Sequence, residues 1–307
     1  MKTIKRILCS TDLTPDSDEA LRYALALAAA FRARVLVCHA VESETLTDEL
    51  QAELRRELSG ALSRAGQLPE WEAIIVAGEA SEVITRTAAQ HHADLIVMRS
   101  RHRSYAASLL GSTAEAVCHQ APCPVLVTHP REREWVGRGS NDIRLQRILM
   151  AHDFSTDSEA ALMFALSLAR EFDAALHLLH VRPAPVAQVL ADGADATLLA
   201  PDNQDETVSE LEEAVPEEAR QWCEISYAVR TGIPWREVLA YADEHEIDLI
   251  CMGFRGAGFA KGELAGSNAD QVLRESSCPV LIARPPKPAS FVLAESRAEA
   301  FPPELQL

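Results

Sequence analysis

The feature that most constrains this chain is that it says the same thing twice. Residues 6–40 read RILCSTDLTPDSDEALRYALALAAAFRARVLVCHA, and residues 147–181 read RILMAHDFSTDSEAALMFALSLAREFDAALHLLHV. Laid side by side without a gap, 15 of the 35 positions are identical. Arg6, Ile7, Leu8, Asp12 and His39 pair with Arg147, Ile148, Leu149, Asp153 and His180. The ends repeat as well: ADLIVM at 93–98 matches IDLICM at 247–252, and PCPVLV at 122–127 matches SCPVLI at 277–282. A repeat of this length describes one domain of about 130 residues, duplicated. The boundaries that follow are 1–130 for the first unit, 131–146 for a charged, glycine-bearing connection, 147–284 for the second unit and 285–307 for a tail opened by PPKP.

Within each copy, short apolar runs alternate with amphipathic stretches. Ile4–Ser10 predicts a strand, and Leu21, Ala24, Leu25 and Ala28 then recur at helical spacing, with Thr14 or Asp16 able to cap that helix. Val35–His39, Thr47–Ala65, Trp71–Val76, Ser81–His91, Leu95–Met98, Ser112–His119 and Val125–His129 continue the alternation, giving five strands and four helices. Strands separated by helices imply a parallel sheet with right-handed crossovers. Continuous apolar strands such as DLIVM and PVLVT fit a sheet covered on both faces. Each half therefore predicts an open, doubly wound, Rossmann-like α/β domain with a five-stranded parallel sheet. Residues 183–206, rich in Pro, Asp and Ala, have no counterpart in the first copy and read as a surface insertion.

The net charge of −17 argues against non-specific nucleic-acid binding and against docking on anionic membranes. No signal-like segment and no run of membrane-spanning length is visible. Seven cysteines, an odd number and widely spaced, suit reduced thiols and a cytoplasmic protein.

Chemistry is expected beyond the carboxyl ends of the strands, where open parallel sheets place their ligands. There the second copy carries CMGFRGAGFAKGELAGS, residues 251–267, with five of the chain's 13 glycines. The spacing is Gly253-x2-Gly256-x9-Gly266-Ser267, and a helix pattern, SNADQVL, follows. Glycines that let backbone N–H groups curl inward, ahead of a helix N-terminus, suit an anion such as a phosphate. Two commoner phosphate motifs are excluded. Lys261 is followed by Gly262 rather than Ser or Thr, and Gly256-Ala-Gly258-Phe-Ala-Lys261 lacks the third glycine of a dinucleotide fingerprint.

The duplicated ILxxxD start, the VxxxH strand, the DLIxM-G step, the PCPVL end and the complete glycine spacing together resemble a tandem universal stress protein. The resemblance covers roughly residues 1–284 and implies an adenine nucleotide alpha hydrolase-like fold. It further implies binding of ATP or another adenine nucleotide, with or without Mg, in the second half of a stress-responsive regulator. By resemblance, Gly253, Gly256, Gly266 and Ser267 cradle the phosphates and ribose, Asp153 approaches the adenosine, and Val181 meets the adenine edge through its backbone. Ala151, Met252, Asn268 and Ala269 fill the remaining pocket positions. The two halves are expected to pair pseudo-symmetrically through their last strands, and two chains to associate as a homo-oligomer.

The first copy departs from this pattern. Arg99 and His102 stand where Gly253 and Gly256 would fall, and the loop before Gly111 and Ser112 is one residue shorter. The first half is therefore expected not to bind nucleotide in the same manner. Its Arg99, Arg101, His102 and Arg103 form either a solvated surface or a grip for some other anion. Cys118, His119 and Cys123 lack a matching second pair for zinc. No catalytic set is supported by spacing, so turnover is expected to be slow at most. A nucleotide-independent scaffold stays open as an alternative. So does a nucleotide hydrolase, although Ala151-His152-Asp153 stands where that class has a Ser-Gly-Gly-type loop.

Overall fold

The structure is a computed structural model and describes residues 3–15, 17–42, 46–63, 69–100, 112–128, 133–137, 142–183, 204–256 and 267–285. The expectations for Asp16, Arg101, His102, Arg103, Gly111, Gly266, residues 184–203 and residues 286–307 lie outside them.

The first half runs β1 (Arg6–Ser10), α1 (Asp18–Phe31), β2 (Arg34–Val41), α2 (Asp48–Ser63), β3 (Trp71–Ala77), α3 (Ala80–Gln90), β4 (Leu95–Arg99), α4 (Ser112–Gln120) and β5 (Val125–Thr128). The second runs β6 (Arg147–Ala151), α5 (Thr156–Phe172), β7 (Ala175–Pro183), α6 (Gln204–Ala214), α7 (Glu217–Arg220), β8 (Ile225–Gly232), α8 (Pro234–Glu244), β9 (Leu249–Gly253), α9 (Ser267–Glu275) and β10 (Val280–Ala283). The alternation predicted from the repeat is present in both halves, which are mixed α/β and Rossmann-like.

All ten strands form one sheet in the order β3-β2-β1-β4-β5-β10-β9-β6-β7-β8. Neighbours are parallel except where the halves meet. There β5 and β10 run antiparallel, with Val127, Leu126 and Val125 opposite Val280, Leu281 and Ile282. The pairing through the last strands thus occurs inside one chain. A pseudo-twofold axis passes between these strands, because like elements meet in opposite directions.

Strand residues alternate between two cores, as period two demands of a sheet covered on both faces. Ile7 and Cys9 belong to a core beneath α1, α2, α5 and α6, with the linker's Trp135 and Val136. Leu8, between them, belongs to the core beneath α3, α4, α8 and α9. On the first face the halves touch directly, Phe31 and Phe172 meeting edge-on at 5.9 Å between ring centres. The described linker also packs there: Trp135 lies edge-on to Tyr23 at 4.6 Å, and Arg22 donates to Glu134 and to the Val136 carbonyl.

The backbone repeats where side chains do not. Left-handed residues pair across the copies as Leu13 with Phe154, Arg32 with Asp173 and His92 with Glu246. One difference stands out. α5 begins at Thr156 with Ser155 as its N-cap, accepting from Ser158 N. α1 begins only at Asp18, the counterpart of Glu159, so it starts three residues later in the repeat. Its N-cap is Ser17, whose hydroxyl turns back to Thr11 Oγ1 and the Thr14 carbonyl instead of capping the helix, rather than Thr14, whose carbonyl also accepts from Ser17 N. The cause lies in the site.

Candidate functional site

β6 ends at Ala151, which lies in register with Leu179 on β7 and with Met252 on β9. The chain then leaves the sheet through His152 and Asp153. One oxygen of Asp153, Oδ1, accepts from Ser155 N at 3.1 Å and Ser155 Oγ at 2.6 Å. This turn fixes the carboxylate at the carboxyl edge of the sheet while Ser155 caps the helix, so Asp153 is not itself the cap. Its other oxygen, Oδ2, is what a β-carbon on Gly256 would strike, at 2.8 Å. Glycine at 256 therefore leaves the backbone lying directly against the carboxylate.

Gly253 is demanded by something else. A β-carbon there would stand 2.6 Å from Ser158 N and 2.7 Å from the Asp157 carbonyl carbon, backbone atoms of the first turn of α5. Only a glycine lets that turn close on the end of β9. The first half has Arg99 at this position. Its guanidinium reaches Glu19 on α1 at 2.9 Å, with both side chains largely buried, and α1 begins at Asp18, three residues later in the repeat than α5. The late start of α1 and the missing glycine are thus two sides of one substitution.

Between the two glycines lie Phe254 and Arg255, which sequence reasoning passed over as spacer. Arg255 is clamped to Asp157: its backbone N donates to Oδ2 at 3.0 Å, its Nε to the same oxygen at 3.1 Å, and its Nη2 to Oδ1 at 3.0 Å. The Asp157 side chain is only 2% exposed. A carboxylate in the first turn of a helix is also favoured by the helix dipole. The loop leaving β9 is therefore held by a charge-assisted fork on α5. The only sequence signal for this was an acidic residue repeated at 16 and 157, which a capping role already explained.

The other expected residues gather at the same edge. Val181 continues β7 past Leu179, opposite Arg230 of β8. Gly253 closes β9 beside Ala283. α9 starts at Ser267, with Asn268 half-buried and Ala269 buried behind it. Ala151, Asp153, Val181, Met252, Gly253, Gly256, Ser267, Asn268 and Ala269 thus all lie at the ends of β6, β7 and β9 or in the first turn of α9. A carboxylate, a backbone held open by glycine and a helix N-terminus suit a ligand with both hydroxyl groups and an anionic end.

The two paired histidines serve as latches. His180 Nδ1 donates to the His152 carbonyl at 2.8 Å, and His39 Nδ1 to the Thr11 carbonyl at 2.9 Å. His152 differs: its Nδ1 accepts from Phe154 N at 3.3 Å, which places the proton on Nε2, a buried atom without a hydrogen-bond partner among the described residues. Burial holds its pKa down to about 4, against a partly compensating pull from Asp153. The folded state thus prefers neutral His152, and the unfolded chain takes up a proton first as pH falls below about 6.5. Relative to His152→Thr, which copies Thr11, the wild type should lose about 3 kcal/mol between pH 7 and pH 4. Denaturant melts of both proteins across that range measure it; parallel stability curves would show that His152 is not buried neutral.

The universal stress protein family model matches residues 3–129 and again residues 144–284. Universal stress protein MJ0531 of Methanocaldococcus jannaschii is 30% identical over 147 residues, 46% of this chain and 84% of the relative. Universal stress protein Rv2624c of Mycobacterium tuberculosis is 29% identical over 231 residues, 75% of each chain. In fold, the chain is similar to a universal stress protein from Archaeoglobus fulgidus, with a TM-score of 0.66 at 24% identity, covering 92% of this chain and 97% of that one. The chain belongs to the universal stress protein family, and it is a tandem member with two such domains in one polypeptide.

Proposed function

We propose that this chain is a stress-responsive regulator that binds ATP or another adenine nucleotide in its second domain. The two units span 1–130 and 147–284, joined by 131–146. The observation that carries the reading is the close approach of the Gly256 backbone to the Asp153 carboxylate, beside the N-terminus of α9. In this reading Asp153 accepts from the nucleoside hydroxyls or amino group. Val181 meets the base edge through its backbone, with Ala151 and Met252 beside it. Gly253, Gly256, Gly266, Ser267, Asn268 and Ala269 surround the phosphates and ribose, and Mg accompanies a triphosphate. The first domain, with Arg99 paired to Glu19, stays without nucleotide. Two chains associate, and the protein works in the cytoplasm as a binder rather than as a fast catalyst.

The test is titration with a fluorescent adenine nucleotide. Asp153→Ala should weaken binding by about 10- to 100-fold, the loss of one or two bonds to a charged acceptor. Asp12→Ala, the same change in the first domain, should leave the affinity as it was. Equal affinity in wild type and Asp153→Ala would defeat this reading and favour a scaffold acting through its surfaces.

A further inference from the structure

Across the pseudo-twofold axis α4 of the first domain faces α9 of the second. Aligning Ser112 with Ser267 makes Glu115 the counterpart of Asp270, and His119 the counterpart of Arg274. The contacts obey the same symmetry. Arg274 reaches Glu115 at 3.5 Å, and His119 Nε2 faces Asp270 Oδ1 at 3.9 Å. These are two copies of one slot, a basic residue on one helix set against an acidic residue on the other. One copy is filled by a permanent cation. The other holds a histidine, which when neutral brings no charge.

The second slot is left incomplete. Asp270 Oδ1 is buried and has no hydrogen-bond partner among the described residues. Burial raises the pKa of Asp270, and Glu115 adds to the rise while His119 and Arg274 oppose it. At 3.9 Å the imidazole nitrogen is too far to bond it. Glu115 precedes His119 by one helical turn, so both point to the same side of α4. One ligand atom from each of Glu115, His119 and Asp270 lies within 4.8 Å of the others.

We propose that Glu115, His119 and Asp270 form a site for a zinc-class divalent ion that bridges the two domains. Ligand atoms about 2.1 Å from zinc stand roughly 3.4 Å apart in a tetrahedral shell. The three atoms therefore need to close by an ångström or so, within reach of rotamer adjustment. One imidazole and two carboxylates form a set of three protein ligands with a fourth position for water. The ion supplies the positive charge that arginine supplies in the symmetric slot. It competes with Arg274 for Glu115, so the affinity stays below that of a dedicated structural zinc site. Arg284 also stands near, but its guanidinium lies over the Phe254 ring at 4.3 Å and donates to the His119 carbonyl. The site is independent of the nucleotide reading, since none of its three ligands belongs to the candidate pocket. Asp270 nevertheless sits in the first turn of α9, immediately after Asn268 and Ala269.

The test uses tag-free, full-length protein stripped with chelator and then titrated with Co(II). The expected result is one Co(II) per chain, with visible d–d bands of a tetrahedral or five-coordinate ion. Zn(II) should displace it and raise Tm on the order of 5 °C at saturation. Asp270→Asn and His119→Arg should each abolish the bands. His119→Arg, which copies Arg274, should fold with an undiminished Tm and lose the response to zinc. Bands that persist in both variants, or no saturable binding by wild type, would overturn the proposal. So would a Tm that follows pH but ignores metal, because the slot would then be an ordinary His–Asp pair.

Discussion

Gly253→Arg, which gives the second domain the residue of the first, should abolish nucleotide binding and lower stability by about 3 kcal/mol. The expectation follows from distance rather than from side-chain size. Any β-carbon at 253 stands 2.6 Å from Ser158 N, and backbone at the start of a helix cannot give way as a flexible side chain can. The first turn of α5 must therefore shift, and α1, where Arg99 occupies the equivalent position, begins three residues later in the repeat. That shift moves Asp157 and with it the loop held by Arg255. Gly253→Ala should already incur most of the stability loss, because the β-carbon alone makes the clash. Denaturant unfolding of both variants, paired with nucleotide titration, separates the cases. An alanine variant as stable as wild type would remove the close approach as the reason for this glycine.

Asp157→Ala is the second large effect. It deletes the acceptor of three hydrogen bonds from Arg255, one of them from backbone. The Arg255 side chain is 41% exposed and can turn to water, so the cost comes from lost bonds and a loosened loop rather than from a stranded charge. About 2 kcal/mol of stability should be lost, and nucleotide affinity should fall by at least tenfold as Gly256 moves away from Asp153. Asp157→Asn, which keeps an acceptor oxygen but not the charge, should lie between alanine and wild type. Affinity unchanged by both substitutions, in proteins that fold, would separate the clamp from binding.

Much of this architecture was legible in the sequence because it is written twice. Alternating apolar runs located the strands, and the repeated Asp and His marked their carboxyl ends. Helix limits shifted by a residue or so, as for α2, which begins at Asp48 rather than Thr47. The start of α1 was misplaced because the residue that delays it, Arg99, lies some 80 positions away. The same applies to the site. Composition and spacing could mark Gly253 and Gly256 as unusual. They could not say that one glycine answers to helix backbone and the other to a carboxylate. The Arg255–Asp157 fork joins residues 98 positions apart, and nothing in either local sequence announces it. The cluster of Glu115, His119 and Asp270 was beyond reach for a further reason. Cysteine spacing directed attention to Cys118 and Cys123, whereas the three donors meet only when two domains face each other across β5 and β10.

The central claim is one live nucleotide site per chain, in the second domain. Calorimetric titration of ATP into nucleotide-free, full-length protein tests it most directly. The geometry of Gly256 and Asp153 beside α9, with Arg99 in the first domain, predicts saturation at one ATP per chain. Saturation at two per chain, or no heat of binding from well-folded protein, would contradict it.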